Sequence, residues 1–335
     1  MSLLEVRDLH VWFDLPNRSG KHGSGKHGSQ VHAAAGVSFA LDEGERFGLV
    51  GESGCGKTTT VLAMMGLLPP TATLSGDVLV NGQSILAGGE DSARAHRWTD
   101  VAMVFQGAMN ALNPVKKVGW QIAEPMAFHG VAKGAAARRR AGELLELVGI
   151  PAAAGERYPH EFSGGMRQRA AIAMALACQP KILLADEPTT ALDVMVQAQI
   201  LDLLTRLSSE LGLALVLVTH DLPVVAQVCD RAAVMYAGEI VELGPMDELY
   251  HSPRHPYTRM LFAATPDLTG ESRVASIPGT PPRLDQEITG CAFRPRCDSA
   301  FEPCAGEHPE LSVVQPDHQA ACHLIRQLAG EGSAT

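Results

Sequence analysis

The chain has 335 residues, of which 46% are hydrophobic and 19% charged, a composition typical of a soluble globular protein with room for about two domains. Its formal net charge of −10 argues against nucleic acid as a partner, because affinity for a phosphate backbone comes from concentrated Lys and Arg. No apolar run approaches the roughly 20 residues that span a bilayer, and the N-terminus lacks a signal-peptide pattern. We therefore expect a cytoplasmic chain that reaches a membrane only through partners.

The first predicted element of the core is a short apolar strand at residues 46–50, followed by a glycine-rich turn and a helix that ends before Pro69. Further short aliphatic runs, which suit parallel strands buried on both faces, occur at 101–105, 182–185 and 213–218. Between the last two, apolar residues from Val196 to Leu211 recur at the spacing of one helix face. Strands that alternate with helices predict an α/β fold with a parallel sheet.

Two parts of the chain depart from this alternation. Residues 115–178 are rich in Ala, Arg, Leu and Met and predict a helical subdomain inserted into the core. From about residue 259 proline becomes frequent and periodicity is lost, which predicts a small loop-rich extension over 259–335 that follows a main domain over 1–258. The repeated Gly-Lys-His-Gly-Ser sequence at 20–29 predicts a flexible surface loop.

The strongest chemical motif is the glycine-rich turn at 51–58, Gly-Glu-Ser-Gly-Cys-Gly-Lys-Thr, between the first predicted strand and its helix. Free backbone N–H groups and the dipole at a helix start favour anions, and glycines let the backbone wrap around phosphates. Lys57 can reach the β- and γ-phosphates of a nucleotide, and the Thr58 hydroxyl can ligate Mg²⁺. The motif therefore predicts a phosphate-binding loop.

The presence of that loop supports a functional interpretation of two further motifs. The strand at 182–185 ends in Asp186 and Glu187, which suit a magnesium ligand and a base that polarises an attacking water. Ser163 precedes Gly164 and Gly165 and is well placed as a helix N-cap that leaves N–H groups open to a second anion. This second site could grip the γ-phosphate of a nucleotide held by another subunit.

In this order, the motifs resemble those of the nucleotide-binding subunit of an ATP-binding-cassette (ABC) transporter. Gln106 resembles the Q-loop glutamine of that family, Ala191-Leu192-Asp193 its D-loop and His220 its switch histidine. Five further features resemble the oligopeptide/dipeptide importer branch of that family. They are Ala111-Leu112-Asn113-Pro114, Tyr158-Pro159-His160-Glu161, His255-Pro256-Tyr257-Thr258, Ile277-Pro278-Gly279-Thr280 and the closing cysteines. The resemblance covers nearly the whole chain and implies a P-loop NTPase cassette with an inserted helical subdomain.

The resemblance implies a role for each matching residue. ATP would be bound by Gly51, Ser53, Gly54, Cys55, Gly56, Lys57, Thr58 and Thr59. A partner's ATP would be bound in trans by Ser163, Gly164, Gly165, Met166 and Asp193. Glu187, His220 and Gln106 would act in catalysis, and Thr58, Gln106 and Asp186 would bind Mg²⁺.

It also implies the assembly around the chain. The expected partners are a second ATPase subunit, which we expect to be a paralogue, two membrane permease subunits and an extracytoplasmic substrate-binding protein. The chain would then lie at the cytoplasmic face of the inner membrane and power the uptake of peptides. The alternatives are nickel or oligosaccharide cargo, a soluble ABC ATPase outside transport, and a non-enzymatic iron–sulfur regulatory module, against which Lys57 and Glu187 argue.

The sequence leaves the adenine contact open. The aromatic residue that usually stacks on adenine is missing, because Gly28 falls near its place. Trp12, Phe13 or a histidine of the repeat are the candidates to replace it.

Four cysteines crowd the C-terminal extension: Cys291, Cys297, Cys304 and Cys322. In a cytosolic chain such a group favours a metal site over disulfides, and four thiolates suit tetrahedral Zn²⁺ or an iron–sulfur cluster. The family resemblance implies a 4Fe-4S cluster, with Zn²⁺ as the alternative. We expect a structural role for it, because a loop-rich segment gains folding energy from metal ligation.

Overall fold

The computed structural model describes residues 2–15, 30–107, 111–264, 276–286 and 288–325. The Gly-Lys-His-Gly-Ser repeat, with Gly28 and the repeat histidines, lies outside the described residues. The chain divides into two compact units. One comprises Met1–Leu4, Leu41–Arg46 and Val80–Val218, and is called here the helical unit; the other comprises Glu5–Ala40, Phe47–Leu79 and Thr219–Thr335, and is called the loop unit.

The strands of the described residues are β1 (Leu4–Asp14), β2 (Gln30–Leu41), β3 (Arg46–Val50), β4 (Ala72–Val80), β5 (Gln83–Ser84), β6 (Val101–Val104), β7 (Ile182–Asp186), β8 (Ala214–Thr219), β9 (Arg231–Tyr236), β10 (Glu239–Pro245), β11 (Ser312–Gln315) and β12 (His318–Ala320). The helices are α1 (Lys57–Met64), α2 (Gly89–His96), α3 (Val118–Phe128), α4 (Gly134–Leu147), α5 (Gly164–Ala175), α6 (Val194–Leu211), α7 (Leu222–Val228), α8 (Met246–His251), α9 (Pro256–Ala263) and α10 (Pro303–Gly306). Within the described ranges no helix is both long and apolar enough to cross a bilayer.

The helical unit contains the parallel strands expected from the aliphatic runs. β7 pairs with β6 on one side and β8 on the other, with Leu183 opposite both Ala102 and Leu215. Every residue of β7 and β8 is buried, as expected for strands covered on both faces. Helix α6 begins at the N-cap Asp193 and ends at Gly212, which has a φ of +62°. The predicted α/β alternation is confirmed here.

The predicted helical subdomain forms α3, α4 and α5. No strand occurs between Val118 and Ala175, a stretch whose residues are all described. These helices bury alanine and leucine side chains against one another, among them Ala137, Ala141 and Leu145 of α4. A cavity of about 690 Å³ lies beside α3 and α4, where Trp120 and Phe128 are exposed.

The loop unit is built on a second set of strands. β3 is parallel to β9, and β9, β10, β12 and β11 follow as antiparallel neighbours. In a separate sheet β1 lies between β2 and β4. Because β3 leads directly into the phosphate-binding loop, this sheet fixes where that loop begins.

The C-terminal extension contains more regular structure than its composition predicts. Helix α9 runs to Ala263, so the boundary predicted at residue 258 falls inside a helix, and β11 and β12 extend the sheet beside β10. The carboxylate of Glu242 on β10 is fully buried and accepts bonds from the backbone N–H groups of Arg254 and His255, at 2.6 and 3.0 Å. It also lies 2.8 Å from His318 Nε2 on β12, which fastens the last strand to the sheet.

Candidate nucleotide-binding and hydrolysis site

The glycines of the phosphate-binding loop are required by close backbone contacts. Gly56, which precedes α1, has a φ of +104°, and a Cβ there would collide with the carbonyl oxygen of Ala33. Gly51 has a φ of +150°, and a Cβ there would collide with the carbonyl oxygen of Met235. An L side chain at either position would combine backbone strain with a steric clash, so glycine is needed at both.

Some of the predicted nucleotide-binding residues of the loop are buried, and others are exposed. Lys57 is buried, and its Nζ donates to the carbonyl oxygens of Gly51 at 2.7 Å and Glu52 at 3.0 Å. Cys55 is buried beside it, and burial raises the pKa of the Cys55 thiol, which therefore stays neutral. Of the remaining residues predicted to bind ATP, one is buried (Gly51), and the others are exposed (Ser53, Gly54, Thr58) or half-buried (Gly56, Thr59).

Glu52 is held by side chains from the far end of the chain. Arg296 Nη1 donates to Glu52 Oε2 at 2.6 Å, and Nη2 donates to Oε1 at 2.9 Å. The backbone N–H of Glu52 donates to the hydroxyl oxygen of Tyr257 at 2.9 Å. The sequence does not predict these contacts of Glu52. The ion pair with Arg296 joins positions 244 residues apart, and no local motif indicates it.

The acidic pair at the end of β7 is already organised. Asp186 is buried, whereas Glu187 is half-buried with a φ of +43°, a left-handed backbone that non-glycine residues rarely adopt. Glu187 Oε2 accepts bonds from Gln106 Nε2 at 2.8 Å and from the Thr190 hydroxyl at 2.9 Å. Strain of this kind persists only where the surroundings enforce it and is concentrated at functional sites. Thr190 is a further contact that the sequence analysis missed.

The predicted signature turn begins α5 as expected. The Ser163 hydroxyl caps the helix by accepting from the backbone N–H of Met166 at 3.3 Å, which confirms the predicted N-cap. A Cβ on Gly165 would lie 2.7 Å from Val196 Cγ1, so glycine lets α5 approach α6 closely. Ser163 is exposed, and Gly164, Gly165 and Met166 are half-buried.

Asp193 lies at the start of α6 and caps it, because its carboxylate accepts from the backbone N–H of Val196 at 3.0 Å. The two next residues are apolar and exposed, Val194 at 78% and Met195 at 72%. Two such side chains together at the surface suit burial against another protein.

His220 follows β8 and is exposed. The next residue, Asp221, caps α7 by accepting from the backbone N–H of Val224 at 3.4 Å, so this histidine stands in a tight turn between a strand and a helix. His220 belongs to the loop unit and Glu187 to the helical unit. Their predicted pairing stays a prediction.

The predicted magnesium ligands have suitable chemistry. Asp186 offers a carboxylate, Thr58 a hydroxyl and Gln106 an amide carbonyl, and Mg²⁺ prefers oxygen ligands. The amide nitrogen of Gln106 is bonded to Glu187, so its oxygen is the group suited to a cation. The residues therefore fit Mg²⁺ by donor type.

Aromatic side chains near the N-terminus bear on the adenine contact. The rings of Trp12 and His32 are stacked with centroids 6.2 Å apart, and Phe13 is half-buried. His32 directly precedes Ala33, whose carbonyl oxygen contacts Gly56. The stacked rings of Trp12 and His32 are thus joined to Ala33, the residue that lies against Gly56 of the phosphate-binding loop. The choice among the candidate residues for the adenine contact stays open.

The four C-terminal cysteines line one small cavity of about 10 Å³, together with His255 and Phe293. All four are free thiols, and burial raises the pKa of Cys322 to about 11, with the other three contributing a further increase. Among the described residues no group of three or more His, Cys, Asp or Glu side chains is arranged to hold a metal ion. The four thiols fit a thiolate-bound metal by their chemistry and by their convergence on one cavity, and the predicted cluster stays a prediction.

The chain matches two protein families. Residues 34–190 match the ABC transporter family, and residues 241–304 match the C-terminal region of oligopeptide/dipeptide transporters. The first match spans the phosphate-binding loop, the signature turn and the acidic pair. The second spans Tyr257, Arg296 and three of the four cysteines.

Individual relatives agree over nearly the full length. The chain is 47% identical over 96% of its length to a probable peptide ABC transporter ATP-binding protein of Sinorhizobium fredii, covering 94% of that protein. It is 45% identical to the oligopeptide transport ATP-binding protein OppD of Bacillus subtilis, covering 96% of this chain and 89% of that one.

Its fold is similar to that of a dimeric bacterial ABC transporter cassette, with a TM-score of 0.61 and 29% identity over 72% of this chain and 98% of that one. The same values hold for a dimeric post-hydrolysis cassette bound to ADP and phosphate. Fold, motifs and full-length similarity agree, and the chain belongs to the ATP-binding, ATP-hydrolysing subunits of ABC transporters, in the oligopeptide/dipeptide branch.

Proposed function

We propose that this ATPase powers the import of di- or oligopeptides as one of two ATPase subunits of a membrane complex. The observation that carries the catalytic part is the carboxylate of Glu187, held by Gln106 and Thr190 beside buried Asp186. Such a fixed carboxylate at the end of a buried strand suits a base that activates water at a phosphate.

Each residue of the site has a role in this proposal. The loop at 51–58 wraps the phosphates, and the ammonium of Lys57 turns from the loop carbonyls to the β- and γ-phosphates. Glu187 takes a proton from water as the water oxygen attacks the γ-phosphorus. The bond from that phosphorus to the oxygen of ADP breaks, and phosphate leaves. Mg²⁺, bound through Thr58, Asp186 and Gln106, would neutralise developing charge.

The signature turn is proposed to act on a second subunit. Ser163 and the following N–H groups lie at an exposed helix start, which suits the γ-phosphate of a partner's ATP. Beside Asp193, the exposed apolar pair Val194 and Met195 supports a partner that would cover this surface. ATP would then hold two subunits together and hydrolysis would release them, a switch driven by differential contact with two states.

The helical unit offers a surface for the permease. Its cavity of about 690 Å³ is lined by Trp120, Phe128 and other residues of α3 and α4, which follow Gln106 in the chain. We assign this groove to a cytoplasmic segment of a permease subunit, which would place the chain at the cytoplasmic face of the inner membrane. The complete importer would contain two permeases, a substrate-binding protein and a second ATPase, proposed to be a paralogue.

The test of this function is reconstitution. The tagged chain is purified from membranes with its co-purifying subunits, placed in proteoliposomes, and its ATPase rate is measured with binding protein loaded with dipeptide, oligopeptide, Ni²⁺ or oligosaccharide. We expect a membrane subunit to co-purify and peptides alone to stimulate hydrolysis. Stimulation by Ni²⁺ or oligosaccharide would reassign the cargo, and purification without any membrane subunit would favour a soluble ABC ATPase.

We further propose that the four cysteines of the extension over 259–335 bind a 4Fe-4S cluster with a structural role. The convergence of the four thiols on one cavity supports this proposal. Iron and acid-labile sulfide, measured in anaerobically purified protein against zinc, test it. Four irons per chain are expected, and stoichiometric zinc without iron would replace the cluster by Zn²⁺.

A further inference from the structure

The C-terminal extension reaches the phosphate-binding loop through one arginine. Arg296 lies in the turn at 291–297, called here the cysteine turn because Cys291 and Cys297 are its ends. Its side chain is only 3% exposed and forms a two-pronged ion pair with Glu52, which is 26% exposed. The guanidinium also donates to the carbonyl oxygen of Pro278 at 2.8 Å.

A second ion pair, formed by the residue that follows the cysteine turn, provides a contrast. Arg259 bonds Asp298 at 2.9 Å, but these side chains are 52% and 58% exposed. An exposed pair contributes little, because water solvates both partners and salt screens them. In the other pair Arg296 is buried and binds both oxygens of the half-buried Glu52 carboxylate, a fork geometry that fixes its partner in one position.

Glu52, the partner of Arg296, also binds Lys57, the lysine of the phosphate-binding loop. The carbonyl oxygen of Glu52 accepts from Lys57 Nζ at 3.0 Å, while its N–H donates to Tyr257 and its carboxylate binds Arg296. All three polar groups of Glu52 are therefore engaged, and two of them are held by residues of the family-specific C-terminal region. The path from Arg296 to Lys57 passes through a single residue.

We propose that Arg296 is a positioning residue for ATP hydrolysis: it fixes the phosphate-binding loop through Glu52, and the packing of the four cysteines that shapes the cysteine turn thereby sets the affinity of the loop for ATP. The C-terminal extension is thus part of the nucleotide site. The inference needs only the ATPase activity of the family, and holds whether or not the cargo is a peptide or the cysteines bind metal.

The first experiment compares Arg296→Gln with the matched control Arg259→Gln in the full-length chain. Loss of loop preorganisation should weaken binding more than chemistry, because the base on Glu187 is untouched. We expect Arg296→Gln to raise the Kd and KM for ATP about ten-fold with kcat within about two-fold, and Arg259→Gln to leave all three unchanged. Arg296→Lys should restore part of the affinity, since it keeps the charge without the fork.

A structural role alone would give a different pattern. Arg296→Gln would then lower the melting temperature and the active fraction, while the folded protein kept the wild-type Kd and KM. Tyr257→Phe provides a second variant, because it removes only the acceptor for the Glu52 N–H and keeps the buried ring. We expect it to raise KM about three-fold, and wild-type KM in both variants would overturn the proposal.

The cysteine part of the proposal is tested at Cys322, which is distant in sequence from Arg296 but lines the same cavity as Cys297. Cys322→Ser should raise the KM for ATP, whereas Cys178→Ser, a buried cysteine of the helical unit, should not. In the Arg296→Gln background the effect of Cys322→Ser should fall to less than about half of its single-variant value, because both act through one contact. Independent effects, or no effect of Cys322→Ser, would overturn this part.

Discussion

The phosphate-binding loop and the signature turn both begin a helix with a glycine-rich backbone, yet they are held in different ways. The loop is fixed by Lys57 from within and by Tyr257 and Arg296 from far along the chain. The signature turn is held by the Ser163 cap of its own helix, and Ser163 is exposed. The phosphate-binding loop is therefore held by distant residues of its own chain, whereas the signature turn is held locally and begins at an exposed residue.

The difference teaches which site must act first. A loop whose backbone is preorganised binds its nucleotide without a large ordering cost, whereas the exposed turn is proposed to meet its ligand only when a second molecule brings it. The exposed Val194 and Met195 beside Asp193 fit the same division. In the proposed function, the two regions thus separate nucleotide binding from subunit association.

The largest expected effect is the loss of ATP hydrolysis when the proposed base, Glu187, is replaced. Glu187→Gln removes the base but keeps the size of the side chain, so we expect the ATPase rate to fall about 100-fold or more. ATP should then hold two subunits together, and size-exclusion chromatography with Mg·ATP should show a dimer. Glu210→Gln, an exposed carboxylate paired with Arg206 on α6, is the control. A Glu187→Gln variant that hydrolyses ATP at the wild-type rate would refute the assignment of the base.

The rigidity of the phosphate-binding loop is tested by adding a methyl group at Gly56. Gly56→Ala meets the Ala33 carbonyl and a φ of +104°, whereas Gly54→Ala, with a φ of +81°, has no atom within 4 Å of its Cβ. We expect Gly54→Ala to cost about 1 kcal/mol of unfolding free energy and Gly56→Ala about 3 kcal/mol or more, because only the second adds a clash. Urea denaturation measures both, and equal losses would show that the loop yields easily.

The smallest effect is expected on the signature side. Ser163→Ala removes the cap of α5 and should cost about 1 kcal/mol of unfolding free energy, whereas Ser163→Gly should cost only a few tenths. Neither change should alter the Kd of the isolated subunit for ATP, because the turn is proposed to bind a partner's nucleotide. A weakened Kd in the isolated subunit would mean that the turn already contacts the ATP of its own chain.

The sequence predicts the parts of the site that local patterns encode. The loop at 51–58, the strand before Asp186 and the cap at Ser163 each depend on residues close together in the chain, and the structure has them as expected. The left-handed backbone of Glu187 carries no comparable signal, because the residue type gives no reason to expect it.

The parts that were missed depend on distant residues or on weak patterns. The Glu52–Arg296 pair joins two turns that no periodicity relates, and β11 and β12 are short strands whose residues are partly polar. The sequence groups the four cysteines and the structure places them around one cavity, while the metal that they would bind stays a prediction. Long-range packing decides each of these features.

The antiparallel pairing of β12 with β10 has a practical consequence for truncated versions of the chain. His318 and Glu242 are both fully buried at this junction. Removing the last strand would uncover the hydrogen-bonding rim of β10 and leave a carboxylate in an apolar interior with one fewer neighbour. Shortened proteins that stop before His318 should therefore precipitate on expression, whereas those that stop after Ile325 should remain soluble.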